Sequence, residues 1–123
     1  MMMAAIKKIP AIRFKGFEEE WEEKNLGEIF DCNIPTNTLS RASLTDNRGD
    51  IKNIHYGDIL IKYNSCLNVS ENEIPSIKGG KVVDFKNHFL KDGDIIFADA
   101  AEDEMVGKCV EILNVGNKYI VAG

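Results

Sequence analysis

Residues 91–123 read KDGDIIFADAAEDEMVGKCVEILNVGNKYIVAG, and the punctuation of this stretch sets the fold class. Ile95, Ile96 and Phe97 form a β-branched and aromatic trio behind the turn-forming Asp92-Gly93-Asp94. Ala98–Met105 is a loop rich in Ala, Asp and Glu. Gly107 opens a second apolar stretch, in which Cys109, Val110, Ile112 and Leu113 suit a buried strand. Gly116-Asn117 has hairpin-turn chemistry, so Lys118–Val121 is expected to return as a last strand.

Upstream, IHYGDILIKYN (54–64) carries an apolar pattern at Ile54, Tyr56, Ile59, Leu60, Ile61 and Tyr63. A loop is expected from Asn64 to Gly80, after which Val82, Val83 and Phe85 resume the core. Tyr56-Gly57-Asp58-Ile59-Leu60-Ile61 echoes Asp92-Gly93-Asp94-Ile95-Ile96-Phe97. The echo reads as one local device: Gly turns, Asp caps, and an apolar strand or turn follows. Residues 33–53, NIPTNTLSRASLTDNRGDIKN, are polar and read as a long irregular loop with a turn at Asn47–Asp50. Near the start, Ile12-Arg13-Phe14-Lys15 alternates with period two and fits a short extended segment. A short strand or extended arm is expected over Trp21–Leu26, with a single turn at Glu28–Phe30. The class is therefore α+β, mainly β: a twisted antiparallel or mixed sheet with long loops and few short helices. It forms one domain over residues 10–123, behind a ragged start at residues 1–9.

A chain of 123 residues suits one domain. Its 44% hydrophobic and 28% charged residues exclude collagen-like, coiled-coil and wholly disordered classes. No apolar run reaches membrane-span length, and Lys7, Lys8 and Pro10 interrupt any signal-peptide core. A cytoplasmic protein is the expectation. Cys32, Cys66 and Cys109 are odd in number and lack CxxC spacing, so they read as small buried hydrophobes rather than disulfides or zinc ligands.

The net charge of −5 speaks against strong non-specific nucleic-acid binding. Its distribution is uneven. Residues 41–91 hold eight bases and six acids, whereas residues 92–123 hold two bases and seven acids. Any anion-facing surface should come from the middle third. Catalytic patterns are scarce. There is no phosphate-binding GxxxxGK[ST] loop and no GxSxG elbow, and His55 and His88 are isolated. Neither a metal site nor catalytic residues are expected. Cys66 with His88 as base lacks local support, and Asp99, Glu102, Asp103 and Glu104 read as a solvated acidic loop. What remains is recognition chemistry. Arg, Lys, Asn, Ser, Thr and Tyr side chains grip phosphates and read base edges. Arg41, Arg48, Lys52, Lys62, Tyr63, Asn64 and Ser65 are the candidate DNA-binding residues.

Three segments together resemble a known family. In IPAIRFKGFEEEWEEKNLGEIF the residues Pro10, Arg13, Phe14, Gly16, Phe17, Trp21, Glu22, Leu26 and Gly27 match the opening of a target recognition domain. Such domains belong to the specificity subunits of type I restriction–modification systems. IKNIHYGDILIKYN (51–64) resembles the next family block. FLKDGDIIFADAAEDEMVGKCVEI (89–112) resembles a third, with Gly93-Asp94-Ile95 and Gly107-Lys108 in order. The resemblance covers about residues 9–123.

The resemblance implies a recognition subunit that performs no chemistry itself. It would read one half of a split double-stranded DNA sequence. It would direct a methyltransferase subunit and, in the full complex, a restriction subunit. S-adenosylmethionine, ATP and Mg would be held only by those partners, and no membrane is involved. Family members continue past a final strand like Tyr119–Gly123 and carry long helical spacers, so the chain reads as an incomplete domain. Two other readings stand beside this one. A truncated remnant would bind a partner without reading DNA. A small β-rich hydrolase would use Ser65 and Lys81 as a serine–lysine dyad, although the usual Ser-Met-x-Pro context is missing.

Overall fold

Strand patterning in the C-terminal third comes in two kinds, and the two kinds enter different sheets. CVEIL alternates, which suits a strand with one covered face, whereas YIVA is continuously apolar, which suits a strand covered on both faces. The computed structural model describes residues 9–99, 104–116 and 118–123. In chain order its elements are α1 (Leu26–Ile29), β1 (Leu44–Thr45), β2 (Ile51–His55), α2 (Tyr56–Ile61), β3 (Cys66–Asn68), β4 (Ser76–Ile77), β5 (Ile95–Phe97), β6 (Cys109–Leu113) and β7 (Lys118–Ala122). Single 3-10 turns lie at Arg41–Ser43 and Val82–Phe85. The class is α+β and mainly β, with two small mixed sheets. Among the described residues no helix is long and apolar enough to cross a membrane.

The chain divides into two units, one up to Cys32 and one from Asn33 onward. In the first, the Asn25 backbone N–H donates to Glu28 Oε2 at 2.8 Å, which starts α1. α1 begins two residues before the expected turn, takes in the end of the stretch expected to be a strand or extended arm, and includes Gly27. Ile12–Lys15 takes no strand partner among the described residues; Phe17 N–H instead closes a turn onto the Phe14 carbonyl at 3.2 Å. Alternation alone makes a segment extended, and a sheet needs a partner as well.

In the second unit the first sheet has the order β1-β4-β2-β7, and the second has the order β3-β6-β5. β2 and β7 run parallel, with Ile54 opposite Val121, and β3 and β6 run parallel, with Leu67 opposite Ile112. The segment β2-α2-β3 thus sends one strand to each sheet, and so does β6-β7. The expected hairpin at Gly116-Asn117 is overturned, because β6 and β7 are not neighbours in either sheet. Asn117 itself lies outside the described residues, as do residues 1–8 and 100–103, which include Glu102 and Asp103. The last strand is internally paired: β2 flanks it on one side, and Asn37 bridges to Ala122 on the other.

β7 is buried at Tyr119, Ile120, Val121 and Ala122 because each of its faces meets a different cluster. Tyr119 and Val121 join Ile54, Ile59, Tyr63, Leu67, Val110 and Ile112. Ile120 joins Leu44, Ile51 and Ile77, backed by Leu39, Phe85 and Phe89. Each fully buried side chain of this size contributes about 1.5–3 kcal/mol relative to exposure.

Other local expectations need correction. Cys32, Cys66 and Cys109 are all exposed rather than buried. In β6 the alternation that buries Val110 and Ile112 turns Cys109 and Glu111 outward. Val82 and Val83 are exposed on a 3-10 turn; only Phe85 packs against the core. Residues 33–53 hold β1 and the start of β2, and residues 64–80 hold β3 and β4, so neither is wholly irregular. Two-residue strands such as β1 and β4 carry too little periodicity to stand out in a sequence.

Candidate functional site

β2 ends at His55, and its parallel neighbour β7 ends at Ala122. The segment Asn37–Arg41 crosses beside these strand ends, held by a buried amide. Asn37 Nδ2 donates to Asn53 Oδ1 at 2.9 Å and to the Val121 carbonyl at 2.8 Å. Its Oδ1 accepts the Leu39 backbone N–H at 3.0 Å. A buried amide satisfied on both sides fixes one path for the chain, because any other path would leave it unpaired. The result is an open cleft of about 430 Å³, lined in part by Thr38, Ser40, Arg41, His55 and Tyr56.

At its edge Arg41 makes a two-pronged ion pair with Asp58. Nη1 donates to Oδ2 at 3.1 Å and Nη2 donates to Oδ1 at 2.9 Å. The Asp58 side chain is 9% exposed and that of Arg41 is 55% exposed, so a buried carboxylate holds a guanidinium that still reaches solvent. His55 caps α2: its Nδ1 accepts the Gly57 backbone N–H at 3.1 Å. Arg41 Nη2 lies 3.4 Å from the same nitrogen. With Nδ1 facing N–H groups, the neutral imidazole carries its proton on Nε2. Tyr56 stacks on the His55 ring at a centroid distance of 4.6 Å and is half exposed.

The electrostatics follow from this packing. Burial, reinforced by the positive Arg41, lowers the His55 pKa, against a smaller upward pull from Asp58. Hydrogen bonding to Asp58 raises Arg41 further above its ordinary range and outweighs the cost of desolvation. Burial, with Asp58 adding to it, pushes the Tyr63 hydroxyl up to about 12. Among the described residues that hydroxyl has no hydrogen-bond partner.

The seven residues expected to bind DNA lie in different settings. Arg41 stands at the cleft. Arg48 is exposed in the connection from β1 to β2, and Lys52 is half buried within β2. Lys62 ends α2, donates to the Glu73 carbonyl at 3.3 Å, and lies 5.4 Å from the Tyr63 ring centroid. Tyr63 is buried in the core. Asn64 and Ser65 are exposed between α2 and β3, where the Ser65 carbonyl accepts the Glu111 N–H at 2.8 Å. Ser65 and Lys81 share no hydrogen bond among the described residues; the Lys81 N–H donates instead to Asp84 Oδ2 at 3.2 Å. No group of three metal-ligating side chains occurs among the described residues.

Sequence reading missed His55, Tyr56 and Asp58 as site residues. The two Gly-Asp echoes turn out to differ. Gly93 has φ of +84° and Asp94 Oδ2 accepts the Lys91 N–H at 2.7 Å, which is the expected turn and cap leading into β5. The first copy is helical, and its Asp58 holds Arg41 instead. The available signal was His55 three residues before Asp58, the spacing of an N-cap and the third residue of a helix.

Gly57 lies close against the imidazole. A Cβ there would sit 3.3 Å from His55 Nδ1 and 3.6 Å from Arg41 Nη2. Gly57→Ala is therefore expected to displace the imidazole by a few tenths of an ångström, and with it its spacing from the guanidinium, while the chain stays folded. The check is the His55 Nε2 and Arg41 side-chain NMR resonances; unchanged shifts would mean the cluster is looser than this geometry. Comparisons of the chain with family models, with curated proteins and with solved structures found no match.

Proposed function

We propose that this chain recognises DNA as part of the specificity subunit of a type I restriction–modification system. It reads one half of a split double-stranded sequence in the cytoplasm. It directs a methyltransferase subunit and, in the full complex, a restriction subunit. The chain carries no chemistry of its own; S-adenosylmethionine, ATP and Mg belong to the partners. Two supports meet here. The three family-like segments occur in order along nearly the whole chain. The observation that carries the reading is the Arg41 guanidinium, held by buried Asp58 at an open cleft beside the His55–Tyr56 pair. An arginine held in place through its end-on fork keeps N–H groups that can donate to a phosphate or a base acceptor. The acids of residues 92–123 lie outside the segment that supplies Arg41, which softens the objection from net charge.

The test is a pulldown of the chain with its methyltransferase subunit, followed by retention of duplexes from a randomised library. A short fixed motif should be enriched. Retention of the methyltransferase with no enriched motif would replace this reading with that of an interaction-only protein.

A further inference from the structure

We infer that the cleft beside Arg41 is a phosphate seat, built from Arg41, His55 and the hydroxyls of Ser40 and Thr38. The hydrogen-bond inventory carries this. Asp58 takes one N–H from each Nη of Arg41, Nη2 also lies 3.4 Å from His55 Nδ1, and among the described residues Nε–H and one Nη1 N–H have no partner. His55 Nδ1 already accepts from Gly57, so the imidazole offers the cleft an Nε2–H donor. Ser40 and Thr38 are exposed and line the same cleft. Among the described residues no carboxylate side chain lines it. The Asp58 carboxylate behind Arg41 is buried and bonded through both oxygens to it, and the backbone of Ala122 and Gly123 completes the lining.

A cleft whose free side-chain groups are donors and hydroxyls selects a ligand made of acceptors. A tetrahedral oxyanion with several acceptor oxygens fits that inventory, whereas a base edge, which mixes donors and acceptors, leaves part of it unmatched. Because Asp58 offsets the charge of Arg41, the seat works by oriented hydrogen bonds more than by net charge. Its affinity for a free anion is accordingly weak, and it acts chiefly as a register pin for a larger ligand. The same chemistry is offered by free phosphate and by a DNA backbone phosphodiester; assignment to the backbone rests on the DNA reading above. On that assignment Arg41 fixes position on the duplex, and sequence is read by other side chains.

The experiment titrates inorganic phosphate into the full chain at constant ionic strength, with chloride as control. It follows the Gly57 amide and the His55 Nε2 resonance. Saturable shifts at both are expected, with affinity reduced about tenfold in Arg41→Gln, the loss typical of one charge-assisted contact. No saturable shift in the wild type, or an undiminished one in Arg41→Gln, overturns the seat. If Arg41→Gln does not fold, His55→Asn serves instead, since it keeps an acceptor for the cap but removes the Nε2–H. A second arm adds a duplex bearing the enriched motif. Displacement of phosphate, with the salt slope of DNA binding reduced by about 1 in Arg41→Gln, assigns the seat to the DNA backbone. A duplex that binds and leaves phosphate in place overturns that assignment while the DNA reading stands. A chain that binds phosphate but no duplex leaves a free-phosphate site and removes the DNA reading.

Discussion

Ile54→Ala is expected to lower the unfolding free energy by about 2–5 kcal/mol, the range for truncating a large side chain in a packed core. Ile54 is fully buried at the centre of the larger cluster, on the strand that pairs with both β4 and β7. It touches the environment of α2 and both sheets, so relaxation around the void requires several elements to move together. Ile61 supplies the internal comparison. It lies on α2 but is 79% exposed, so Ile61→Ala should change stability by no more than about 0.5 kcal/mol. Urea denaturation of both variants reads the difference as a shift in midpoint at constant slope. Equal midpoints would mean that the two clusters do not form this core in solution.

Asp58→Ala should have the second largest effect, and it should act on stability and on the cleft together. It removes two charge-assisted hydrogen bonds whose acceptor is buried. Such bonds are worth about 1.5–3 kcal/mol each when desolvated, but the Arg41 end reaches water, so a total loss of about 1–3 kcal/mol is expected. The imidazole reports the same event. Asp58 pulls the His55 pKa upward while burial and Arg41 push it down. Asp58→Ala should therefore lower it further, and Arg41→Ala should bring it back toward its ordinary value. The lowered pKa means that the unfolded chain binds a proton at His55 more readily than the folded chain. The contribution of His55 is thus present above pH 6.5 and is lost as pH falls from there through the folded-state value. An NMR titration of His55 in the three proteins checks the order. A wild-type value at or above 6.5 would contradict the packing of its ring.

The sequence carried local conformation better than partnership. Ile95–Phe97, Cys109–Leu113 and the final strand were legible because β-branched and apolar residues cluster there between turn formers. Their pairing is not legible there, because turn chemistry at Gly116-Asn117 points to a hairpin while β6 and β7 enter different sheets. The better guide was the difference between alternating CVEIL and unbroken YIVA, which demands one covered face for β6 and two for β7. The site was legible in only one member. Arg41 stood out as a cation in a polar loop. Its anchor Asp58 lies 17 residues away in a segment that resembled a turn cap, and no local pattern joins the two. Asn37 was still less visible. A loop asparagine looks like any other until its amide is found holding Val121, 84 residues along the chain.

The parallel pairing of β2 with β7 and of β3 with β6 has a kinetic consequence. Each pair joins segments far apart in the chain, so a long loop must close before its hydrogen bonds reward the closure. The early strands must therefore wait for the late ones, with Leu67 and Ile54 uncovered in the interval. Refolding should be slow for a chain of this size, and partly folded molecules should be sticky. Yield on refolding should fall with protein concentration well before the native state itself shows any tendency to associate.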